Sequence, residues 1–382
     1  MSLTPGVVFC ATVRDLTSSG HAVLEHASGQ VVFVPGVWLG EVVTVRVIEV
    51  KSRFARAELL KIDSPSPERR TAFCKLHGHG RVQCGGCPWQ FVSYSAQCAA
   101  KQHRLENELG RLGISPDQIL PLLPSPNELA YRNRAQLRSD GQRLGFLSAG
   151  GRELVDVPQC PILHPAAAAE LAELRTCLPR RQWRPRRRGR WVTIDIDAKL
   201  GRSEGRRLPF RQANDEQNQC MQQWLKQRLD TLPREIQVLE LFAGSGNFTQ
   251  VLSQAGFTRI IAVEAVEEAT HALAAMALPG VHVLTHNLYL SDAYSQLLRK
   301  YPDTQVLVMD PPRDGLQMAR ALFDTRNRLS DVLYISCDLA TFCRDSRVIL
   351  DSGFDVLNIQ PLDLFPQTPH VELLAHFQRR TD

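Results

Sequence analysis

From residue 235 onward, short apolar runs alternate with helix-length stretches: "IQVLELFA", "RIIAVEA", "VHVLTH", "QVLVMD", "DVLYIS" and "VLNIQPL". Runs of this length read as strands buried on both faces. Strands separated by helices predict a mostly parallel sheet with helices on both sides. This pattern commits the C-terminal part of the chain to an α/β fold. In such sheets ligands bind beyond the carboxyl ends of the strands, so the residues after each run carry the functional information.

The first run ends in "ELFAGSGNF", where Gly244 and Gly246 allow a tight turn and close approach of a ligand to the backbone. Glu264 ends the second run in "AVEA", where a carboxylate accepts both hydroxyls of a ribose. The pair points to a nucleoside-containing cofactor, with a plain structural turn as the alternative. "GSGNF" lacks the six-residue dinucleotide fingerprint, which leaves S-adenosylmethionine open beside a nicotinamide cofactor. Asp310 in "MDPPRDG" precedes two prolines that preset an irregular turn. The fifth run ends at Ser336-Cys337 of "YISCDLATFCRD". A free cysteine is usually a packing residue, but one at this row of strand ends reads as a nucleophile. "DLFPQTPHVELLAHF" offers His370 and Glu372, the latter as a general base or as an ordinary solvated glutamate at a strand start.

Upstream, residues 6–63 alternate apolar runs with glycine-bearing turns, which predicts a small five-stranded barrel of the oligonucleotide-binding type. "DSPSPERR" at 63–70 marks a linker. "VSYSAQCAAKQHRLENELGRLG" has helical spacing, with Cys98 as a packing residue, and 131–158 carries hairpin signals at Asp140-Gly141 and Gly150-Gly151. The predicted domains are 1–64, 65–205 and 206–382. Net charge is only +5, but "RRQWRPRRRGRW" at 180–191 holds seven arginines in twelve residues. It reads as a polyanion site whose two tryptophans offer stacking faces, or as a solvated linker. Ten cysteines in a long chain containing "CGGC" favour metal binding or catalysis over disulfides. No apolar run is long enough to span a membrane and the N-terminus has no signal-peptide pattern, so the expectation is a soluble, cytoplasmic protein without membrane association.

Together and in this order, "LFAGSGNF", "DPPRDG", "YISCDLATFCRD" and "LFPQTPHVELL" resemble the RNA (uracil-5-)-methyltransferase family, which makes 5-methyluridine in transfer and ribosomal RNA. The resemblance covers most of the chain. Residues 6–63 look like a TRAM domain, an RNA-binding barrel. Cys74, Cys84, Cys87 and Cys160 look like the iron–sulfur site of the ribosomal RNA enzymes. Barrel and cysteines together are most similar to the large-subunit (23S) ribosomal RNA branch. The resemblance implies a Rossmann-like S-adenosylmethionine methyltransferase domain behind an OB-type barrel and a β-containing iron–sulfur domain. It further implies that Gln212, Phe242, Asn247 and Glu264 contact S-adenosylmethionine beside Gly244, and that Asn287 lies on the cofactor side. Asp310 would lie between cofactor and uracil, Cys337 would be the nucleophile and Glu372 the base. Two departures stand out: the family usually writes "SCNP" where this chain has Cys337-Asp338-Leu339, and "KLHGHGRVQ" is inserted between Cys74 and Cys84.

Carbon 5 of uracil is too weak a nucleophile to take a methyl group unaided, so the implied chemistry begins with a thiolate adding to carbon 6. A base must later remove the carbon-5 proton. The target base must leave its stack, which makes single-stranded or loop RNA the expected substrate and Arg132 and Arg134 of "YRNRAQ" candidate RNA contacts. Four thiolates suit either a [4Fe-4S] cluster, which the resemblance favours, or zinc, which His77 and His79 would help to hold. The expected partner is ribosomal RNA and the expected state a monomer. Competing readings are the same reaction on transfer RNA, a catalytically silent RNA-binding relative, and a nicotinamide-dependent oxidoreductase.

Overall fold

The computed structural model describes residues 3–80, 82–185, 189–316, 319–323 and 328–380. The chain divides into two compact units. One comprises Met1–Ala100, Pro126–Leu208 and Phe365–His370; the other comprises Lys101–Ser125, Pro209–Leu364 and Val371–Asp382.

In the first unit, strands β1 (Val8–Thr12), β2 (Asp15–Leu16), β3 (Ala22–Glu25), β4 (Val31–Val34), β5 (Val42–Val50) and β6 (Phe54–Ser64) form one sheet. Their order is β1-β5-β6-β4-β3-β2. The sequence pattern gives five strands; the sixth is the two-residue β2, which pairs briefly with Val23 and Ala22 of β3. The long strands β5 and β6 bury Val43, Val45, Val47, Ala55 and Ala57 on one face. Register shifts between them supply the bulges that curl such a sheet around its core. Trp38 and Trp89 meet edge to face inside it, 5.0 Å apart.

Helix α1 (Tyr94–Gly110) follows. The first unit's second sheet is built from β7 (Arg134–Ser139), β8 (Leu144–Leu147), β9 (Leu154–Asp156), β10 (Val192–Asp197) and β11 (Gly201–Glu204), in the order β11-β10-β7-β8-β9. Both hairpins turn where their glycine signals fall. Helix α2 (Pro165–Thr176) presents Ala167, Leu171 and Leu174 to Leu137, Ile194 and Ile196 of this sheet. Trp183 belongs to that core and not to a base-stacking surface. It is 1% exposed and its Nε1 donates to Glu204 at 2.9 Å, so apolar packing has claimed the indole that the arginine run offered to RNA. Arg186, Arg187 and Arg188 of the run lie outside the described residues.

The second unit carries α3 (Asp215–Leu229), β12 (Gln237–Leu241), α4 (Thr249–Gln254), β13 (Arg259–Glu264), α5 (Glu267–Ala275), β14 (Val281–Thr285), α6 (Ala293–Lys300), β15 (Thr304–Met309), β16 (Asp331–Ser336), α7 (Leu339–Asp351), β17 (Phe354–Leu362) and β18 (Glu372–Arg379). The seven strands lie in the order β14-β13-β12-β15-β16-β18-β17. The first five are parallel, as the continuous apolar runs require. Order reverses at β12, which makes the ends of β12, β13 and β15 the switch point. β18 runs antiparallel between β16 and β17, pairing Leu373 with Ser336. Its first residue, Glu372, therefore arrives where the parallel strands end. Among the described residues, no helix is long and apolar enough to cross a membrane.

Lys101 of α1 and Asp363 after β17 form an ion pair at 2.6 Å with both side chains fully buried. Removing one partner strands the other charge in an apolar interior. Lys101→Met is expected to lower unfolding stability by about 3 to 5 kcal/mol, read as a shift of the urea midpoint. The double variant Lys101→Met/Asp363→Leu should recover much of that loss.

Candidate active site

The turn after β12 is built around three left-handed residues, Phe242 (φ 62°), Gly244 (φ 55°) and Gly246 (φ 97°). A Cβ on Gly246 would stand 2.6 Å from Leu273, so glycine lets the turn close against α5. A Cβ on Gly244 would meet nothing within 4 Å, leaving space in which a ligand approaches the backbone. Glu264, at the end of β13, accepts from the amide of Gly244 at 3.0 Å and from those of Ala265 and Val266 at 2.8 and 2.9 Å. Three donors thus fix the carboxylate: Oε1 accepts two amides and Oε2 one, so Oε2 keeps lone-pair capacity for a ribose hydroxyl. These residues fit the nucleoside part of S-adenosylmethionine.

The other residues expected on the cofactor side are placed less directly. Asn247 exchanges a pair of 2.9 Å hydrogen bonds with Asn218 and accepts from Gln222 at 3.1 Å, so its amide ties the glycine turn to α3. Asn287 is exposed and its Oδ1 accepts from the Tyr289 amide at 3.0 Å, which forms the turn after β14. Gln212 donates to Asp310 at 3.2 Å and joins the segment before α3 to the end of β15.

Asp310, Cys337 and Glu372 share the carboxyl edge of the sheet. Loss of water around Asp310 pushes its carboxyl up to about 7, against the hydrogen bond from Gln212. Glu372, 2% exposed, is raised well above the usual range by burial and then by Asp310, while Arg313 acts in the opposite direction. The Cys337 thiol is pushed up to about 12, first by burial, then by Glu372 and Asp310, again against Arg313. These four groups are therefore within electrostatic reach of one another. Arg313, inside "DPPRDG", is the cation that the strand-end reading passed over. Glu240 on β12 was passed over as well: it is 2% exposed with an unpartnered Oε2, and burial raises its carboxyl to about 8.

Asp338, the departure after the nucleophile position, caps α7. Its carboxylate accepts from the Thr341 amide at 3.0 Å and lies near the Thr341 hydroxyl. Aspartate and asparagine can both accept this capping bond.

A second carboxylate of α7 holds the Asp310 loop. Buried Asp345 accepts from the Tyr334 hydroxyl at 2.9 Å, the Leu316 amide at 2.8 Å and Arg344 Nε at 2.9 Å. Arg344 in turn donates to the carbonyls of Asp314 and Leu316 at 2.8 and 3.2 Å. A Cβ on Gly315 would lie 2.4 Å from the Asp345 carboxylate, so this glycine exists for the clamp. Sequence alone marks Asp345 only as one charge on an amphipathic helix.

The four candidate metal cysteines lie in the first unit. None of the ten cysteines is in a disulfide, and among the described residues no group of three or more His, Cys, Asp or Glu is disposed to hold a metal ion. The thiols are nevertheless neighbours. Cys87 is pushed up to about 12 by burial and by the charges of Cys160 and Cys84, and Cys160 to about 11 by burial and by Cys84 and Cys74. Arg132, expected to contact RNA, faces these thiols and offsets their charge; its Nε donates to the Arg134 carbonyl at 3.0 Å. His77 and His79 of the inserted segment are both shifted toward the neutral form by burial, His79 to about 4.

The chain matches the family described as tRNA (uracil-5-)-methyltransferase over residues 203–380 and the TRAM domain over residues 3–60. A Nitrosomonas europaea protein named as an uncharacterized RNA methyltransferase is 36% identical, covering 97% of both chains. The Cronobacter sakazakii 23S rRNA (uracil(1939)-C(5))-methyltransferase RlmD is 30% identical, covering 99% of this chain and 98% of that one. Among solved structures, Pyrococcus abyssi tRNA (uracil-54, C5)-methyltransferase in complex with S-adenosyl-L-homocysteine shares the fold, with a TM-score of 0.71 at 20% identity over 97% of this chain and 100% of that one.

The desolvated carboxyls carry a pH signature. Because Asp310 and Glu372 hold protons more tightly folded than unfolded, the folded chain binds more protons and stability falls as pH rises. The loss begins near pH 4, where unfolded carboxyls ionise, and the Asp310 part is complete above about 7. Asp310→Asn/Glu372→Gln should therefore melt above wild type at pH 8, with the gap shrinking at pH 5 in paired thermal scans. A gap independent of pH would contradict the desolvation of these charges.

Proposed function

Since the chain belongs to the RNA (uracil-5-)-methyltransferase family, we propose that it methylates carbon 5 of a uridine in 23S ribosomal RNA, with Cys337 as nucleophile and Glu372 as base. The observation that carries this reading is the antiparallel entry of β18, which sets Glu372 beside the Ser336–Cys337 strand end. Full-length relatives named for 23S ribosomal RNA support that substrate over transfer RNA.

S-adenosylmethionine supplies the methyl group as an electrophile on a sulfonium. Glu264 would hold the ribose and the Gly244 turn would admit the nucleoside, while Gln212 orients the Asp310 carboxyl. The Cys337 thiol must first lose its proton, which Arg313 favours and the carboxylates oppose. The thiolate forms a bond to carbon 6, and the pair from the 5,6 double bond becomes enolate density on carbon 5, which takes the methyl. Glu372, which must be ionised at this point, then removes the carbon-5 proton; the double bond reforms and the carbon–sulfur bond breaks, returning the thiolate. A carboxylate desolvated as strongly as Glu372 is a better proton acceptor than one in water. Extruding the uridine costs a few kcal/mol, which RNA contacts elsewhere on the chain must offset.

Cys337→Ala is expected to abolish both methylation and covalent capture. Glu372→Gln should accumulate a protein–RNA adduct visible by mass spectrometry after incubation with S-adenosylmethionine and ribosomal RNA. An active Cys337→Ala variant would overturn the assignment, and 5-methyluridine appearing only in transfer RNA would move the substrate.

We further propose that Cys74, Cys84, Cys87 and Cys160 take up a [4Fe-4S] cluster with a structural or RNA-positioning role, because the reaction needs no redox step. What supports this is the donor chemistry, four thiols within electrostatic reach of one another, three of them (Cys84, Cys87 and Cys160) facing the Arg132 guanidinium. Anaerobic reconstitution with iron and sulfide should give cluster absorbance that Cys87→Ser loses. Stoichiometric zinc in place of iron would reassign the site.

A further inference from the structure

Two cavities of the first unit share part of their lining. One, of about 470 Å³, is lined by Arg56 of β6, His79 and Gly80 of the inserted segment, and Ser148, Arg152 and Glu153 of the β8–β9 turn. The other, of about 320 Å³, is lined by Arg143, Arg152, Glu153, Arg190 and Trp191 among others. Arg152 and Glu153 are common to both, so the two form one track.

Its charges are unequal in availability. Arg56 is engaged by Glu49 at 3.2 Å and Arg143 by Asp140 at 2.8 Å. Arg152 and Arg190 make no hydrogen bond or ion pair among the described residues, and both are exposed. Two guanidiniums without protein partners, beside a half-exposed indole, match the demands of single-stranded nucleic acid: cations for phosphates and a flat face for a base. Glu153 keeps the track from being uniformly cationic and supplies an acceptor for a ribose hydroxyl. The inserted segment helps to shape the track. His79 packs over Gly36 of the barrel, where a Cβ would stand 2.8 Å from its ring, and this holds Gly80 at the cavity wall.

The geometry points to a track for single-stranded RNA running from β6 past the β8–β9 turn to Trp191, with Arg152 and Arg190 as its phosphate contacts. It rests on the proposed RNA substrate and extends it to named residues of the first unit. The test is binding of the full chain to a labelled single-stranded oligouridylate across a salt series, for wild type, Arg152→Gln/Arg190→Gln, and the control Arg299→Gln/Lys300→Gln on α6. Each lost phosphate contact should reduce the slope of log affinity against log salt by about 0.7. The double variant should therefore lose about 1.4 of slope while its melting curve and S-adenosylmethionine binding stay at wild-type values. A wild-type slope in the double variant, or an equal loss in the control, overturns the track. The outcomes separate the two proposals: slope loss without 5-methyluridine formation by wild type on any RNA would sink the enzymatic reading and keep the track, and methylation with an unchanged slope would do the reverse.

Discussion

An ionised carboxylate without water is costly, and the carboxyl edge of the large sheet gathers several carboxyls that have lost most of theirs. Glu240 and Glu372 are each 2% exposed, and desolvation raises both together with Asp310. A fold tolerates this only if the surrounding structure is stable enough to hold the groups in place. Here the apolar parallel strands β12, β15 and β16 supply that stability. Much of the neighbouring architecture follows from the same constraint: Gln212 reaches Asp310 from another segment, and Arg313 is the charge opposing the carboxylates around Cys337.

Holding Asp310 also requires its loop to have one conformation. The two prolines after it restrict the entry, and Gly315 takes a φ of 66° that a side chain rarely adopts. The exit is held by Asp345, whose three donors come from β16, from the loop and from α7 itself. Because α7 begins immediately after Cys337, one buried carboxylate couples the nucleophile's helix to the loop carrying Asp310 and Arg313. The clamp accounts for the "RD" at the end of "YISCDLATFCRD" without giving it any contact with substrate.

The parallel strands were readable because burial on both faces leaves uninterrupted apolar runs, and their order of ends identified Gly244, Glu264, Asp310 and Cys337 as neighbours. β18 was harder: "VELLAHFQ" mixes a glutamate and a histidine into its run, and only the structure shows that Glu372 lies inside and that His376 meets Asp331 at 2.8 Å. Trp183 misled because an indole among arginines has the same sequence whether it faces RNA or fills a core. Asp345 escaped for a related reason, as did the position of Arg132, a candidate RNA contact, beside the Cys84, Cys87 and Cys160 thiols. A charged residue with distant partners looks solvated until folding brings those partners together.

The replacement of asparagine and proline by Asp338 and Leu339 bears on whether this chain has kept its chemistry. Had the new carboxylate pointed at Cys337, it would have added to the charges that already raise the thiol and worked against thiolate formation. It turns away, spending its lone pairs on the Thr341 amide at the start of α7. In that position its charge meets the positive end of the helix dipole, a favourable arrangement that asparagine has only in part. Leu339 is 8% exposed and packs in the core of the same unit, so the apolar side chain replaces proline's rigidity with buried contact. The departure is compensated locally within one helical turn, and Glu372, Asp310 and Arg313 remain the charges that act on Cys337.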